Sequence, residues 1–175
     1  NPTGNLLRRE DVMRLVKECR AMVVVDEAYI DFAETESLKS EIADNRNLIV
    51  RQTMSKAWAM AGLRVGLALA DRRVVELFSQ VKYPYNINIA GMERAKELLA
   101  RDVKSEIELL KSERERVAAA LRALPYVEKV YPSDANFLLV KTARPRELYD
   151  YLIARELIVR ARSRTPGCEG TLRIT

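Results

Sequence analysis

The sequence contains no histidine in 175 residues. That removes Ser-His-Asp and Cys-His nucleophile activation, imidazole acid–base catalysis and every imidazole-ligated metal site. Cysteine is nearly absent as well. Cys19 and Cys168 stand far apart, in no CxxC pair and at no metal-ligand spacing. They read as free thiols of a reducing cytoplasm, Cys19 as a small core residue on a helix and Cys168 as a loop residue after Pro166-Gly167. No apolar run approaches the roughly eighteen residues a membrane span needs, and no basic-then-apolar leader opens the chain. Aromatic residues are few, at 6%, and no Lys/Arg block is interleaved with them, which argues against a nucleic-acid groove. Catalysis therefore has to run on Lys, Arg, Asp, Glu, Tyr, Ser, Cys or a cofactor.

What is present is globular. Hydrophobic residues make up 48% and charged residues 31%, enough of both for a folded chain of one domain or one and a half. Thirty Lys and Arg against twenty-five acids give a net charge of +5. The two signs are interleaved, so the basic excess suits a small anionic ligand.

The first part of the chain alternates helix and strand. Leu7, Val12, Leu15, Val16 and Cys19 recur at helical spacing. Ala21-Met22-Val23-Val24-Val25 then reads as a strand buried on both faces, as in a parallel sheet. Residues 34–45 are polar, a short helix or loop. Leu48-Ile49-Val50 opens a strand ending near Thr53, Val65 to Ala70 gives another, and residues 71–81 resume a helical pattern. This predicts a doubly wound α/β layer, whose ligands collect beyond the carboxyl ends of the strands. After Tyr83-Pro84-Tyr85-Asn86, helices over 88–101 and 102–124 lead to Pro125. Strands follow at Val127–Tyr131 and Phe137–Val140, then a helix over 145–155 and short strands near Ile158-Val159 and Leu172-Ile174. The expected division is 1–104 and a small α+β domain over 105–175.

Two segments carry chemistry at predicted strand ends: Asp26-Glu27-Ala28-Tyr29 and Thr53-Met54-Ser55-Lys56. A lysine in such a place can attack a carbonyl and form an imine. A carboxylate at the end of a buried strand needs a partner, which a cationic ring nitrogen, a helix end that it caps or an ordinary salt bridge would supply. Tyr29 brings a phenol to the same place. Arg64, in Gly62-Leu63-Arg64-Val65-Gly66, can fork onto a phosphate, or serve as a structural arginine in a turn. Asn1, in the turn Asn1-Pro2-Thr3-Gly4, can supply an amide donor to a phenolic oxygen. Ring nitrogen, aldehyde carbon, phenolic oxygen and phosphate together describe pyridoxal 5′-phosphate.

At these residues the sequence resembles the class I/II aminotransferases of fold type I, and most closely their histidinol-phosphate group. Asn1-Pro2-Thr3-Gly4, Asp26-Glu27-Ala28-Tyr29, Ser55-Lys56-Ala57-Trp58-Ala59-Met60-Ala61-Gly62-Leu63-Arg64, Pro84-Tyr85-Asn86 and the tail Pro166 to Thr175 carry the likeness. The resemblance implies an α/β fold: part of a large, mainly parallel-sheet domain followed by a small α+β domain. It implies that Lys56 holds the cofactor aldehyde and shuttles a proton, and that Asp26 pairs with the ring nitrogen. Tyr29 and Asn1 would bind the ring oxygen, while Arg64, Thr53 and Ser55 would bind the cofactor phosphate. Arg173 and Arg160 would bind the substrate anion, with Tyr85 and Asn86 at an interface or site rim. The implied substrates are histidinol phosphate and 2-oxoglutarate, in a cytoplasmic homodimer of histidine biosynthesis, with neither nucleic acid nor membrane as partner. The family's chains are about twice as long, so the sequence reads as a C-terminal half. The alternatives are an aromatic amino acid aminotransferase, a phosphothreonine decarboxylase, or an inactive fragment that acts only in subunit interaction.

Overall fold

The β-branched runs become strands, and their lengths and linkers decide how they pair. A computed structural model describes residues 3–175. The chain divides into two units: Leu7–Lys104, and Ser105–Thr175 together with the described residues up to Leu6.

In the first unit, β1 (Val23–Asp26) pairs parallel with β2 (Leu48–Thr53), and β2 pairs antiparallel with β3 (Gly66–Ala70). The chain returns from β1 to the start of β2 through two short 3-10 turns, Ile30–Phe32 and Leu38–Glu41, the second within the 34–45 stretch where sequence left helix or loop open. The Met54–Val65 loop simply reverses direction, which makes the three-stranded sheet mixed. Helix α1 (Arg9–Glu18) lays Val12 and Val16 on one face, against Leu38, Leu48 and Val50. Glu10 and Asp11 sit in its first turn and Lys17 in its last, which suits the helix dipole. The Asn47 side-chain amide donates to the carbonyls of Val16, Cys19 and Ala21 at 2.8, 3.2 and 3.3 Å, tying the end of α1 to the entry of β1.

The other face of β1 is open. Val24 is 61% exposed, so burial alternates along the strand and the expectation of burial on both faces fails. Cys19 is only half-buried and is not a core residue. Helices α2 (Arg72–Val81) and α3 (Ile89–Leu99) complete this unit. Asp71 caps α2 by accepting from the Arg73 amide at 2.9 Å, and Asn88 caps α3 by accepting from the Gly91 amide at 2.6 Å.

In the second unit, β4 (Val127–Val130), β5 (Leu138–Thr142), β6 (Arg160–Ala161) and β7 (Thr171–Ile174) form an antiparallel sheet of order β4-β5-β7-β6. Helix α4 (Lys104–Arg122) packs Ala118, Val117 and Leu121 against Val130, Leu138, Val140 and Ile174. Helix α5 (Pro145–Ile153) starts on a proline, whose missing amide costs nothing in the first turn. The last-but-one strand lies two residues beyond the expected Ile158-Val159, and Ile158 is exposed. Cys168 does lie in a loop, but fully buried, and both cysteines are free. Gly4 explains why the first described residues belong here. Its φ is +83°, a Cβ on it would stand 2.9 Å from Ser133 Oγ, and its carbonyl accepts from the Asp134 amide at 2.8 Å.

Candidate active site

Because β1 and β2 run parallel, their carboxyl ends lie on one edge of the sheet. Asp26 is the last residue of β1 and stands in register with Arg51; Thr53 is the last residue of β2. The loops leaving those two ends carry Tyr29 and Ser55-Lys56. Lys56 is half-buried, with Nζ 5.4 Å from the centroid of the Tyr29 ring. None of the ion pairs among the described residues involves Lys56. An amine faced by a phenol ring and not clamped by an acid is suited to covalent chemistry with a carbonyl.

The Asp26 carboxylate accepts from the Ala28 amide at 3.1 Å through Oδ1, and from Arg51 Nη1 at 2.7 Å through Oδ2. The side chains of that pair are about half exposed, Arg51 at 56% and Asp26 at 44%. Such a pair contributes about 0–1 kcal/mol, little enough for a cationic ring nitrogen to share or displace it. Sequence anticipated a salt bridge as the alternative partner of Asp26, but not Arg51 itself; only the strand register identifies it.

Glu27 is the residue that sequence reasoning passed over. Strand alternation turns it to the face opposite Asp26, the apolar face that holds Val23 and Val25. It is 7% exposed. Its carboxylate accepts from Ser37 Oγ at 2.6 Å, the Leu38 amide at 2.7 Å and Gln52 Nε2 at 2.9 Å, and Gln52 also donates to Ser37 Oγ at 3.1 Å. Three donors replace the water this carboxylate has lost, and they pin the loop bearing Tyr29 to β2. The signal lay in the alternation: an acid at an inward position requires polar partners.

The Met54–Val65 loop is built around short bonds. Thr53 Oγ1 accepts from the Ser55 amide at 3.2 Å and donates to the Val65 carbonyl at 3.4 Å. The Val65 carbonyl also accepts from the Met54 amide, and the Lys56 carbonyl from the Ala59 amide. Arg64 adopts a left-handed backbone, φ +57°, which is uncommon for a residue with a Cβ. Its Nη1 donates to the Ala61 carbonyl at 3.1 Å, one of its five N–H groups, and the guanidinium is exposed. Arg64 thus stands next to Val65, the residue that Thr53 grips. Amine, carboxylate, phenol, hydroxyls and guanidinium gather around the ends of β1 and β2, and as a donor set they fit a phosphorylated pyridine aldehyde.

In the second unit, Arg173 lies on β7 directly opposite Arg160 on β6. The Arg173 guanidinium lies 4.2 Å from the centroid of the buried Phe137 ring. Asn1 lies outside the described residues. Tyr85 and Asn86 are exposed between α2 and α3. Among the described residues no cluster of acids and cysteines could hold a metal ion, and no helix is long and apolar enough to cross a membrane.

The sequence is 42% identical over 176 residues to a protein named histidinol-phosphate aminotransferase from Flavobacterium psychrophilum, a match covering 100% of this chain and 51% of that protein. Among solved structures, the histidinol-phosphate aminotransferase of Clostridium acetobutylicum superimposes with a TM-score of 0.88 at 27% identity, over 99% of this chain and 55% of that one. The L-threonine-O-3-phosphate decarboxylase of Porphyromonas gingivalis gives 0.87 at 27% identity, over 100% and 56%. The chain thus spans about half the length of the relatives it matches. Its fold is part of the fold type I arrangement that the resemblance implied. The family profile "Aminotransferase class I and II" matches residues 1–175, and with the strand-end constellation around Lys56 it establishes that the chain belongs to that family.

Proposed function

We propose that the polypeptide carrying this chain is a pyridoxal 5′-phosphate-dependent aminotransferase that moves the amino group of histidinol phosphate to 2-oxoglutarate. One observation carries the reading: Lys56, in no ion pair among the described residues, faces Tyr29 on the sheet edge where Asp26 ends β1. When bound, the cofactor supplies an electron sink for the bond that breaks at the substrate α-carbon. Lys56 would hold its aldehyde carbon, and its amine would carry a proton to and from the substrate's α-carbon. Asp26 keeps the ring nitrogen protonated by pairing with it, and Tyr29 donates its phenol to the ring oxygen, with Asn1 as a second donor. Thr53, Ser55 and Arg64 bind the phosphate, where the bidentate fork of arginine suits two of its oxygens. Arg160 and Arg173 receive the substrate's own anion. We read residues 1–104 as the later part of a large domain, residues 105–175 as the small domain, and the working enzyme as a cytoplasmic homodimer.

The substrate rests on the name carried by the relatives and on the arginine pair, which suits a phosphate-bearing amine better than a neutral one. The decarboxylase from Porphyromonas gingivalis favours a second reading on the same grounds, with phosphothreonine as substrate. A panel of histidinol phosphate, phosphothreonine and phenylalanine separates them. Amino transfer with histidinol phosphate supports the proposal. Carbon dioxide release from phosphothreonine without amino transfer supports the second reading, and turnover of phenylalanine alone removes both.

A further inference from the structure

Beyond Arg160 and Arg173, the β6–β7 strip holds a third guanidinium. The ladder that sets Arg160 opposite Arg173 continues with the Arg162 amide donating to the Thr171 carbonyl at 3.0 Å. Directly opposed residues of an antiparallel pair share a face; Arg162 follows β6 directly, and its bond to Thr171 extends the alternation by one residue, which puts it on the side of Arg160. Three positive side chains therefore crowd one short strip, the opposed pair with Cβ atoms about 5 Å apart. Like charges so placed repel unless an anion lies between them.

No such anion comes from the described residues. None of the ion pairs among them involves Arg160, Arg162 or Arg173. In the loop between β6 and β7, Glu169 is engaged elsewhere: its carboxylate accepts from the Gly167 amide at 3.0 Å. The Nε atoms of Arg162 and Arg173 are buried and have no hydrogen-bond partner among the described residues. Buried donors on charged groups are rarely left unmatched. Phe137 braces the Arg173 guanidinium from one side, so its Nε is held in place without an acceptor among the described residues.

We propose that Arg162 is a third anion-binding side chain on this face, and that it makes the face selective for a dianionic phosphate monoester over a monocarboxylate. The inference rests on the reading of Arg160 and Arg173 as substrate-anion residues and adds a residue to it. A carboxylate has two oxygens and one charge, which two guanidiniums saturate. A phosphate monoester has three terminal oxygens and up to two charges, its second pKa being about 6. The third fork matches the third oxygen and the second charge.

The test uses methyl phosphate and acetate as probes at fixed ionic strength, by calorimetry and phosphorus NMR. The wild-type full polypeptide, loaded with cofactor, is expected to prefer methyl phosphate and to lower the second pKa of the bound ester. Arg162→Gln should weaken methyl phosphate roughly tenfold or more, leave acetate within about twofold, and return the bound ester's pKa toward its free value. Arg162→Lys keeps the charge without the fork and should recover part of the loss. It carries the test if circular dichroism finds the Gln variant unfolded. Arg146→Gln, on an exposed stretch of α5, should change nothing. If Arg160→Gln and Arg173→Gln weaken the ester while both Arg162 variants leave its affinity and pKa unchanged, the inference is overturned and the Arg160–Arg173 reading stands. If the wild type does not bind the ester, or no arginine of the three affects it, both fail.

Discussion

At the scale of single residues, the site divides by what alternation and register do to neighbours in sequence. Asp26 and Glu27 are adjacent acids with opposite fates. One ends β1 on the open face beside Arg51, while the other turns inward to three donors. Removing one donor without changing the local shape should be costly: Gln52→Leu should destabilise the Leu7–Lys104 unit by about 1–3 kcal/mol. Urea unfolding followed by the fluorescence of Trp58, the chain's single tryptophan, reads that unit, and an unchanged midpoint would remove the anchoring role of Glu27. Asp31 gives a pH prediction. Asp31 is exposed, yet partial loss of water around its carboxyl pushes it above the ordinary 3.8, and the Glu27 charge adds to the rise against the opposing backbone hydrogen bond and Lys39. The folded state therefore holds this proton more tightly than the unfolded chain. The stability this gives is full below pH 3.8 and is lost as pH rises through the folded value. Asp31→Asn should accordingly stabilise the chain at neutral pH and have no such effect in acid; a gain of equal size at both would contradict the cause given. Lys56, Asp26, Tyr29 and Arg64 could be singled out as candidates from sequence because each bears its own chemistry next to a predicted strand. Arg51 was not, because its meaning depends on which strand lies beside β1.

At the scale of elements, periodicity recovered the helices and most strands to within a few residues, since apolar spacing is a local signal. Two features resisted. The two-residue strand β6 has no pattern of its own and exists because Arg160 and Ala161 find partners on β7. The burial of β1 was overread, because an apolar run records what a strand can cover, not what covers it. The Met54–Val65 loop holds two residues in left-handed backbone, Ala59 at φ +54° and Arg64 at φ +57°. Ala59 is exposed and makes no use of its methyl group. Ala59→Gly should therefore stabilise the chain by about 0.5–1 kcal/mol, the left-handed cost relieved less the entropy glycine adds to the unfolded chain. Thermal unfolding checks this, and a loss of stability would mean that the loop is held by more than its hydrogen bonds.

At the scale of the whole molecule, the chain exposes apolar surface that a folded protein of this size ordinarily covers. Helix α2 buries none of its residues, with Leu77 60% and Val81 81% exposed, and Val24 lies open on the sheet. Patches of this kind bind other apolar surfaces. The 175-residue chain on its own should bind the dye ANS and associate with rising concentration in sedimentation velocity, whereas a dye-silent monomer at high concentration would contradict the exposure described. Which faces lie open was not legible in the sequence, because burial is a property of neighbours. The central claim is that Lys56 holds a phosphopyridine aldehyde. Its most direct test is borohydride treatment of the cofactor-loaded full polypeptide, followed by peptide mass mapping. The account predicts one reduced cofactor adduct, on Lys56, and none in Lys56→Ala. An adduct on another lysine, or an adduct and turnover that survive in Lys56→Ala, would contradict it.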